Sequence, residues 1–223
     1  FRIPFVDLVP KMAQVHPELL GAVDRVLRSG HYILGPEVEA FEREFAHYIG
    51  SRHAVGVSNG TSALVLALQA LGVGPGDEVV SVSNTFISTI SAIVAVGATP
   101  VFADIGSDNN LDPQAFESAI SKRTRAVIPV HLSGRPCDMD QILAIARKHG
   151  IFVVEDAAQA AGARWGQKRV GSFGEVGCFS LHPLKNLHAF GDAGVVVTDD
   201  DALAEKIRCR RNIGLISRNE AQY

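Results

Sequence analysis

Ile151-Phe152-Val153-Val154-Glu155-Asp156-Ala157-Ala158-Gln159 decides the fold. Four apolar residues form a short strand-like run that stops abruptly at two acids. A second such run, Val176 to Leu181, leads into Ser180-Leu181-His182-Pro183-Leu184-Lys185-Asn186. Working outward from this pair, short apolar runs alternate with stretches of helical spacing. The strand candidates are Ala54–Val57, Glu78–Val82, Pro100–Ala103, Ala126–Val130, Phe152–Val154, Val176–Ser180 and Val195–Thr198. Helical candidates lie between them at Ser62–Leu71, Ser88–Val96, Pro113–Ala119, Met139–His149 and Ala202–Arg211. Strands that are apolar throughout and separated by helices predict a mostly parallel α/β sheet covered by helices on both faces. The punctuation agrees. Gly74-Pro75-Gly76-Asp77 is a turn before a strand, and Arg147-Lys148-His149-Gly150 is a basic helix end with its glycine.

Upstream, Phe1 to Val15 has no period and reads as an arm. Glu18 to Leu27 has apolar residues at helical spacing and stops at Ser29-Gly30. Gly35-Pro36 starts a second helix, with Glu37 and Glu39 near its positive end and Gly50 beyond its last turn. The expected organisation is an N-terminal arm and helix over 1–35 and one large domain over 36–223.

Composition excludes several classes. Of 223 residues, 47% are hydrophobic and 20% charged, and the net charge of −3 with no basic run gives no reason to expect nucleic acid. No run reaches the roughly 18 apolar residues of a membrane span. Cys137, Cys178 and Cys209 are odd in number and widely spaced, which argues against a disulfide framework or a zinc site and for a reducing, cytoplasmic setting. With no initiator Met, the sequence is expected not to represent the true N-terminus.

Parallel sheets bind ligands at the carboxyl ends of their strands. Ser58 to Thr61, Ser83 to Phe86, His131, Asp156 and Ser180 all fall there. A strand ending in an acid, with a lysine just past the next strand, is the wiring of a pyridoxal 5'-phosphate (PLP) site. The acid holds the pyridine nitrogen protonated and the lysine carries the cofactor as a Schiff base. Read singly, Asp156 is a turn residue or helix cap and Lys185 a solvated charge; the combination is what is specific. Asn59-Gly60-Thr61-Ser62 joins a strand to a helix, a turn whose amides can face an anion, although alone it reads more often as a turn with a helix cap and nothing in it specifies phosphate. Phe86 alone reads as a core aromatic.

The blocks Glu155–Gln159 and Phe179-Ser180-Leu181-His182-Pro183-Leu184-Lys185-Asn186-Leu187, followed by Gly191-Asp192-Ala193-Gly194, closely resemble the DegT/DnrJ/EryC1/StrS family of PLP-dependent sugar aminotransferases, which have the aspartate-aminotransferase fold (fold type I). The resemblance runs from about Pro4 to Gly214. It implies that Gly60, Thr61 and Ser180 hold the cofactor phosphate, that Phe86 stacks on its ring, and that Gln159 donates to its 3′ oxygen. It implies catalytic roles for Asp156 at the ring nitrogen and for Lys185, first as the attachment point and then as the base that moves a proton, a role that needs the neutral amine. His131 follows a strand near the cofactor motif, and His182 and His188 flank the lysine; each is a candidate for substrate contact or for packing behind the site. No metal is expected from this trio. Glu155 faces the opposite side of its strand and reads as structural.

The implied reaction moves an amino group from glutamate or glutamine to a keto-sugar, nucleotide-linked by preference. The implied assembly is a homodimer with shared active sites. A keto-cyclitol acceptor, another PLP reaction such as dehydration or aldol cleavage, and a non-catalytic regulatory homologue are the alternatives; Lys185 argues against dehydratases that carry His at its position. Family members often have Tyr at Ser133, Gly at Ala193 and His at Ile213, which bears on substrate preference. Arg211–Arg218 resembles the segment before a stretch that reaches into the neighbouring subunit, so a small C-terminal domain is expected beyond this sequence.

Overall fold

Alternate residues of the central strands enter different cores, and this is why the apolar runs fold as strands covered on both sides. The structure, a computed structural model, describes residues 3, 4, 6–217, 220 and 221. Its strands are β1 (His53–Val57), β2 (Glu78–Val82), β3 (Thr99–Ala103), β4 (Thr124–Val127), β5 (Phe152–Asp156), a small hairpin β6 (Arg164–Trp165) and β7 (Lys168–Arg169), β8 (Val176–Ser180), β9 (Gly194–Thr198), and the short pair β10 (Leu215–Ser217) and β11 (Glu220–Ala221). The helices are α1 (Val9–Ser29), α2 (Pro36–Ile49), α3 (Gly60–Ala70), α4 (Ile87–Ala95), α5 (Pro113–Ala119), α6 (Met139–His149) and α7 (Asp201–Arg211). On one face of the sheet, Val55, Val79, Val154 and Val196 pack with Leu64, Leu68, Ile93 and Ile207 of α3, α4 and α7. On the other, Val80, Val127 and Val153 pack with Phe116 of α5 and Ile142 of α6, while Ala54, Val195 and Val197 pack with Phe45 and Ile49 of α2. Each such fully buried side chain contributes about 1.5–3 kcal/mol.

The seven-stranded sheet runs in the order β1-β9-β8-β5-β4-β2-β3. β3, β2, β4, β5 and β8 pair in parallel, and β9 is antiparallel to both of its neighbours, β8 and β1. The sheet is therefore mostly parallel, as expected. The orientation of β9 was not predictable, because a strand buried on both faces has the same pattern in either direction. Its first residue, Gly194, sits opposite both Ser180 and Val57. A Cβ there would come within 2.4 Å of the Asn59 carbonyl oxygen, so glycine lets the start of α3 close onto the sheet.

Several boundaries differ from the sequence reading. The arm read over 1–15 is helical from Val9, and α1 runs on through Pro17. Pro10 sits in the first turn, where its missing N–H costs nothing, and Lys11-Met12-Ala13-Gln14 are good helix formers. α3 begins two residues early, at Gly60, because the Asn59 side chain caps it by accepting from Ser62 N at 2.8 Å. β4 ends at Val127, since Pro129 has no N–H to continue the ladder, and Val130 keeps only an isolated bridge to Asp156. The β6–β7 hairpin was too short to register. Asp138 and Asp200 cap α6 and α7 by accepting from Gln141 N and Leu203 N.

Candidate active site

The carboxyl ends of β1, β2, β5 and β8 meet at a cavity of about 420 Å³. Its wall includes Gly60, Thr61, Phe86, Asp156, Gln159, Ser180 and Lys185, the seven residues that the sequence assigned to one cofactor, and also His182. His131 and His188 lie outside it. A larger cavity of about 600 Å³ adjoins it at Thr61, but its wall is mainly aliphatic and has no carboxylate.

Gly60 and Thr61 occupy the first turn of α3, where helix amides have no intrahelical partner and point along the positive end of the dipole. A Cβ on Gly60 would lie 2.8 Å from Ser180 Cβ, so glycine is what brings this turn against Ser180. Thr61 Oγ1 donates to Ser88 Oγ at 2.8 Å, tying α3 to α4. Phe86 caps α4 with its backbone and leaves its ring 63% exposed. It is not the core aromatic that it resembles in isolation. Lys185 Nζ lies 5.9 Å from the centroid of that ring, and Lys185 N donates to His182 O, holding the loop after β8 in a turn. Asn186 Nδ2 anchors the same loop to Ala161 O at 2.8 Å.

Asp156 ends β5 and is 6% exposed. Its Oδ2 accepts from Thr89 Oγ1 at 2.8 Å and its Oδ1 from Ala158 N at 3.1 Å. Burial pushes the carboxyl above the usual range; the Thr89 hydroxyl, the Ala158 amide and the charge of Lys185 pull it back. Such an acid is poised for a cationic partner. Gln159 Oε1 accepts from Ser133 N at 2.8 Å, which assigns its amide and leaves the NH₂ group to donate at the cavity wall.

The histidines divide. His131 is fully buried; its Nδ1 accepts from Cys137 N, so Nε2 carries the proton and donates to Glu155 Oε2 at 3.1 Å. It is a neutral packing residue behind the site, and its backbone N–H donates to the Asp156 backbone carbonyl. His182 lines the cavity, with Nδ1 accepting from Leu184 N. His188 packs edge-to-face on Phe190 and bonds its own loop at Ala189 O. Among the described residues, no group of three or more His, Cys, Asp or Glu is placed to hold a metal ion.

Sequence reasoning missed Thr85, Ser88, Thr89 and Asp192. Thr85 and Thr89 are four apart, so a helix start at Ile87 stacks them on one side. That spacing was the one available signal; Asp156, which accepts from Thr89, lies 67 residues away.

The chain is 51% identical over 214 residues to a dTDP-3-amino-3,4,6-trideoxy-alpha-D-glucose transaminase of Streptomyces venezuelae, covering 96% of this chain and 56% of that protein. It superposes with a TM-score of 0.96 on the crystal structure of S. venezuelae DesV in complex with a ketimine intermediate, at 50% identity over all of this chain and 60% of that one. It also superposes with a TM-score of 0.93 on Bacillus subtilis ntda with bound cofactor PMP, at 32% identity, over all of this chain and 51% of that one. The chain thus spans little more than half the length of the relatives it matches. A family model matches residues 14–223, nearly the whole sequence, and the chain belongs to the DegT/DnrJ/EryC1/StrS aminotransferase family.

Proposed function

We propose that the protein carrying this chain is a PLP-dependent aminotransferase that moves an amino group from glutamate or glutamine to a nucleotide-linked keto-sugar. The observation that carries the reading is the meeting of Asp156 and Lys185 in one cavity with Phe86 and the Gly60–Thr61–Ser180 turn. The residues present fit the cofactor: a buried acid pushed up by burial awaits a cation, and the Gly60 turn, which a Cβ would fill, offers helix amides to an anion. When bound, PLP supplies an electron sink for the carbanion left by Cα deprotonation.

The chain's own residues do the rest. Asp156 holds the ring nitrogen protonated, and Gln159 donates from its NH₂. Gly60, Thr61 and Ser180 bind the phosphate, and Phe86 stacks, contributing about 0.5–1.5 kcal/mol of orientation. Lys185 Nζ would anchor the cofactor and, once released, would take the proton from the donor Cα and return it to the carbon on the far side of the donor nitrogen. A nucleotide-linked sugar is favoured over a cyclitol by the named activity of the Streptomyces relative.

In this proposal residues 36–223 form the cofactor-binding domain, preceded by an arm and α1. A homodimer is supported by apolar side chains at the cavity rim: Phe86 and Leu184 are 63% and 61% exposed beside Ile87 and Leu187. A cytoplasmic setting is supported by three unpaired, buried thiols. Among the described residues no helix is long and apolar enough to cross a membrane.

Asp156→Asn tests the assignment in two ways. An opposite charge within about 4–6 Å shifts a partner's pKa by about 1–3 units, so its removal is expected to slow turnover by about 10- to 1,000-fold at about 1.4 kcal/mol per unit. In the cofactor-free protein the same change is expected to stabilise. With its folded pKa raised, native Asp156 keeps a proton that the unfolded chain releases near pH 4, so wild-type stability falls as pH rises from there through the folded pKa. Asp156→Asn removes that loss. Turnover near the wild-type rate in the variant would count against Asp156 as the partner of the ring nitrogen.

A further inference from the structure

We infer that Thr89 is a positioning residue that keeps the Asp156 carboxylate ionised and aimed into the cavity. Its catalytic meaning rests on the function proposed above; the contact itself rests on geometry. Thr89 is fully buried in the first turn of α4, and its Oγ1 donates to Asp156 Oδ2 at 2.8 Å. Its backbone N–H bonds Phe86 O at 3.2 Å, so the turn that presents the Phe86 ring to the cavity also sets the Thr89 hydroxyl.

Thr85 extends the arrangement. Its Oγ1 lies 2.8 Å from Thr89 Oγ1, and Thr85 lines the cavity. Thr89 has a single hydroxyl proton, which it places on Asp156, so Thr85 must donate to Thr89. The result is a directed hydroxyl chain from the cavity wall to the buried acid. Hydrogen bonds to an ionised acceptor are roughly twice as strong as neutral ones, and successive bonds polarise one another. Such a chain favours the charged carboxylate against the burial that opposes it. With Thr89 on Oδ2 and Ala158 N on Oδ1, the carboxylate plane is also fixed.

Other groups face Asp156. His131 lies on the loop after β4, Lys185 on the loop after β8, and Glu155 is the preceding residue of β5. Cys178 is its partner on β8, and Cys137 lies behind His131. Burial pushes the Cys137 thiol up to about 12 and Cys178 well above its usual value, so neither titrates near neutrality. His131 has both ring nitrogens committed to Cys137 N and Glu155. The Thr89 hydroxyl is therefore the group to substitute.

The test compares Thr89→Val, which keeps the shape and removes the hydroxyl, with Thr89→Ser, which keeps the hydroxyl. Both are made in wild-type and Asp156→Asn backgrounds of the full-length protein, and unfolding is measured without cofactor from acid to neutral pH. Thr89→Val should shift the unfolding equilibrium by about 10- to 100-fold, the size of a hydrogen bond to a charged group. The loss should grow as pH rises through the Asp156 titration, because without the donor the native carboxyl holds its proton to higher pH. In the Asp156→Asn background the effect should be independent of pH. With cofactor and substrates, Thr89→Val should lower kcat about tenfold with substrate KM unchanged, and Thr89→Ser should recover most of it. A pH-independent loss of the same size in both backgrounds would overturn the inference and make Thr89 a packing residue. A wild-type protein that takes up no PLP would overturn the proposed function instead, and the unfolding comparison would still decide Thr89.

Discussion

Lys185→Ala is expected to abolish measurable transamination, a fall of about 10²- to 10⁴-fold from loss of the proton-transferring group alone. The loss should not be structural. Lys185 is half-buried in a loop, its backbone N–H bonds His182 O in any variant, and its ammonium makes a distant contact with the Phe86 ring and a weak attraction, the smallest of the effects on that acid, with Asp156. That contact is worth about 0.5–1 kcal/mol, so the melting temperature should stay close to wild type. Lys185→Arg should fail equally, because guanidinium stays charged at every working pH and cannot act as a base. Parallel turnover and thermal-unfolding measurements separate these effects. A variant that is inactive because it is unfolded would remove the support for Lys185 as the base.

Glu155→Ala should have the largest effect on stability. Its side chain is fully buried and accepts four hydrogen bonds: Oε1 takes Phe173 N at 2.6 Å and Gly174 N at 2.8 Å, and Oε2 takes Gly171 N at 2.6 Å and His131 Nε2 at 3.1 Å. These bonds fasten the 171–174 loop, between β7 and β8, to β5. Truncation strands three amides and an imidazole N–H, each costing about 1–3 kcal/mol if left dry. Water entering the void offsets part of this, and the net cost is expected near the 3–5 kcal/mol of breaking a buried charged pair from one side. For a domain of this size that lowers the melting temperature by roughly 10 °C. Glu155→Gln should not rescue it, because an NH₂ group at the Oε2 position would face the N–H of Gly171 and of His131. His131 cannot change tautomer to help, since its Nδ1 must go on accepting from Cys137 N. A calorimetric loss below about 1 kcal/mol for Glu155→Ala would contradict this picture.

These two acids show how much of the site was legible in sequence. Adjacent strand residues point to opposite faces, so Glu155 and Asp156 had to part company, and they do: Glu155 bonds the 171–174 loop while Asp156 lines the cavity. Lys185, Ser180 and Gly60 could be placed because strand ends in a parallel sheet share one edge. Thr89 could not, because nothing local tells a threonine in an apolar helix turn that a carboxylate waits across the sheet edge. His131 stood in a promising position, yet only its contacts with Cys137 and Glu155 reveal that its ring faces away from the cavity. The reversal of β9 was hidden for a different reason, since burial on both faces erases the alternation that would mark its surroundings. The extension of α1 back to Val9 rests on helix formers around Lys11–Gln14 that carry no apolar period to mark them.

The central claim is that Asp156 and Lys185 serve one bound PLP. The most direct measurement is the absorption spectrum of the full-length protein as PLP is titrated in, followed by glutamate. The account predicts a saturable visible band that is absent in Lys185→Ala, and its decay toward the ultraviolet when glutamate is added. A band of equal strength in Lys185→Ala, or no saturable band in the wild type, would contradict it.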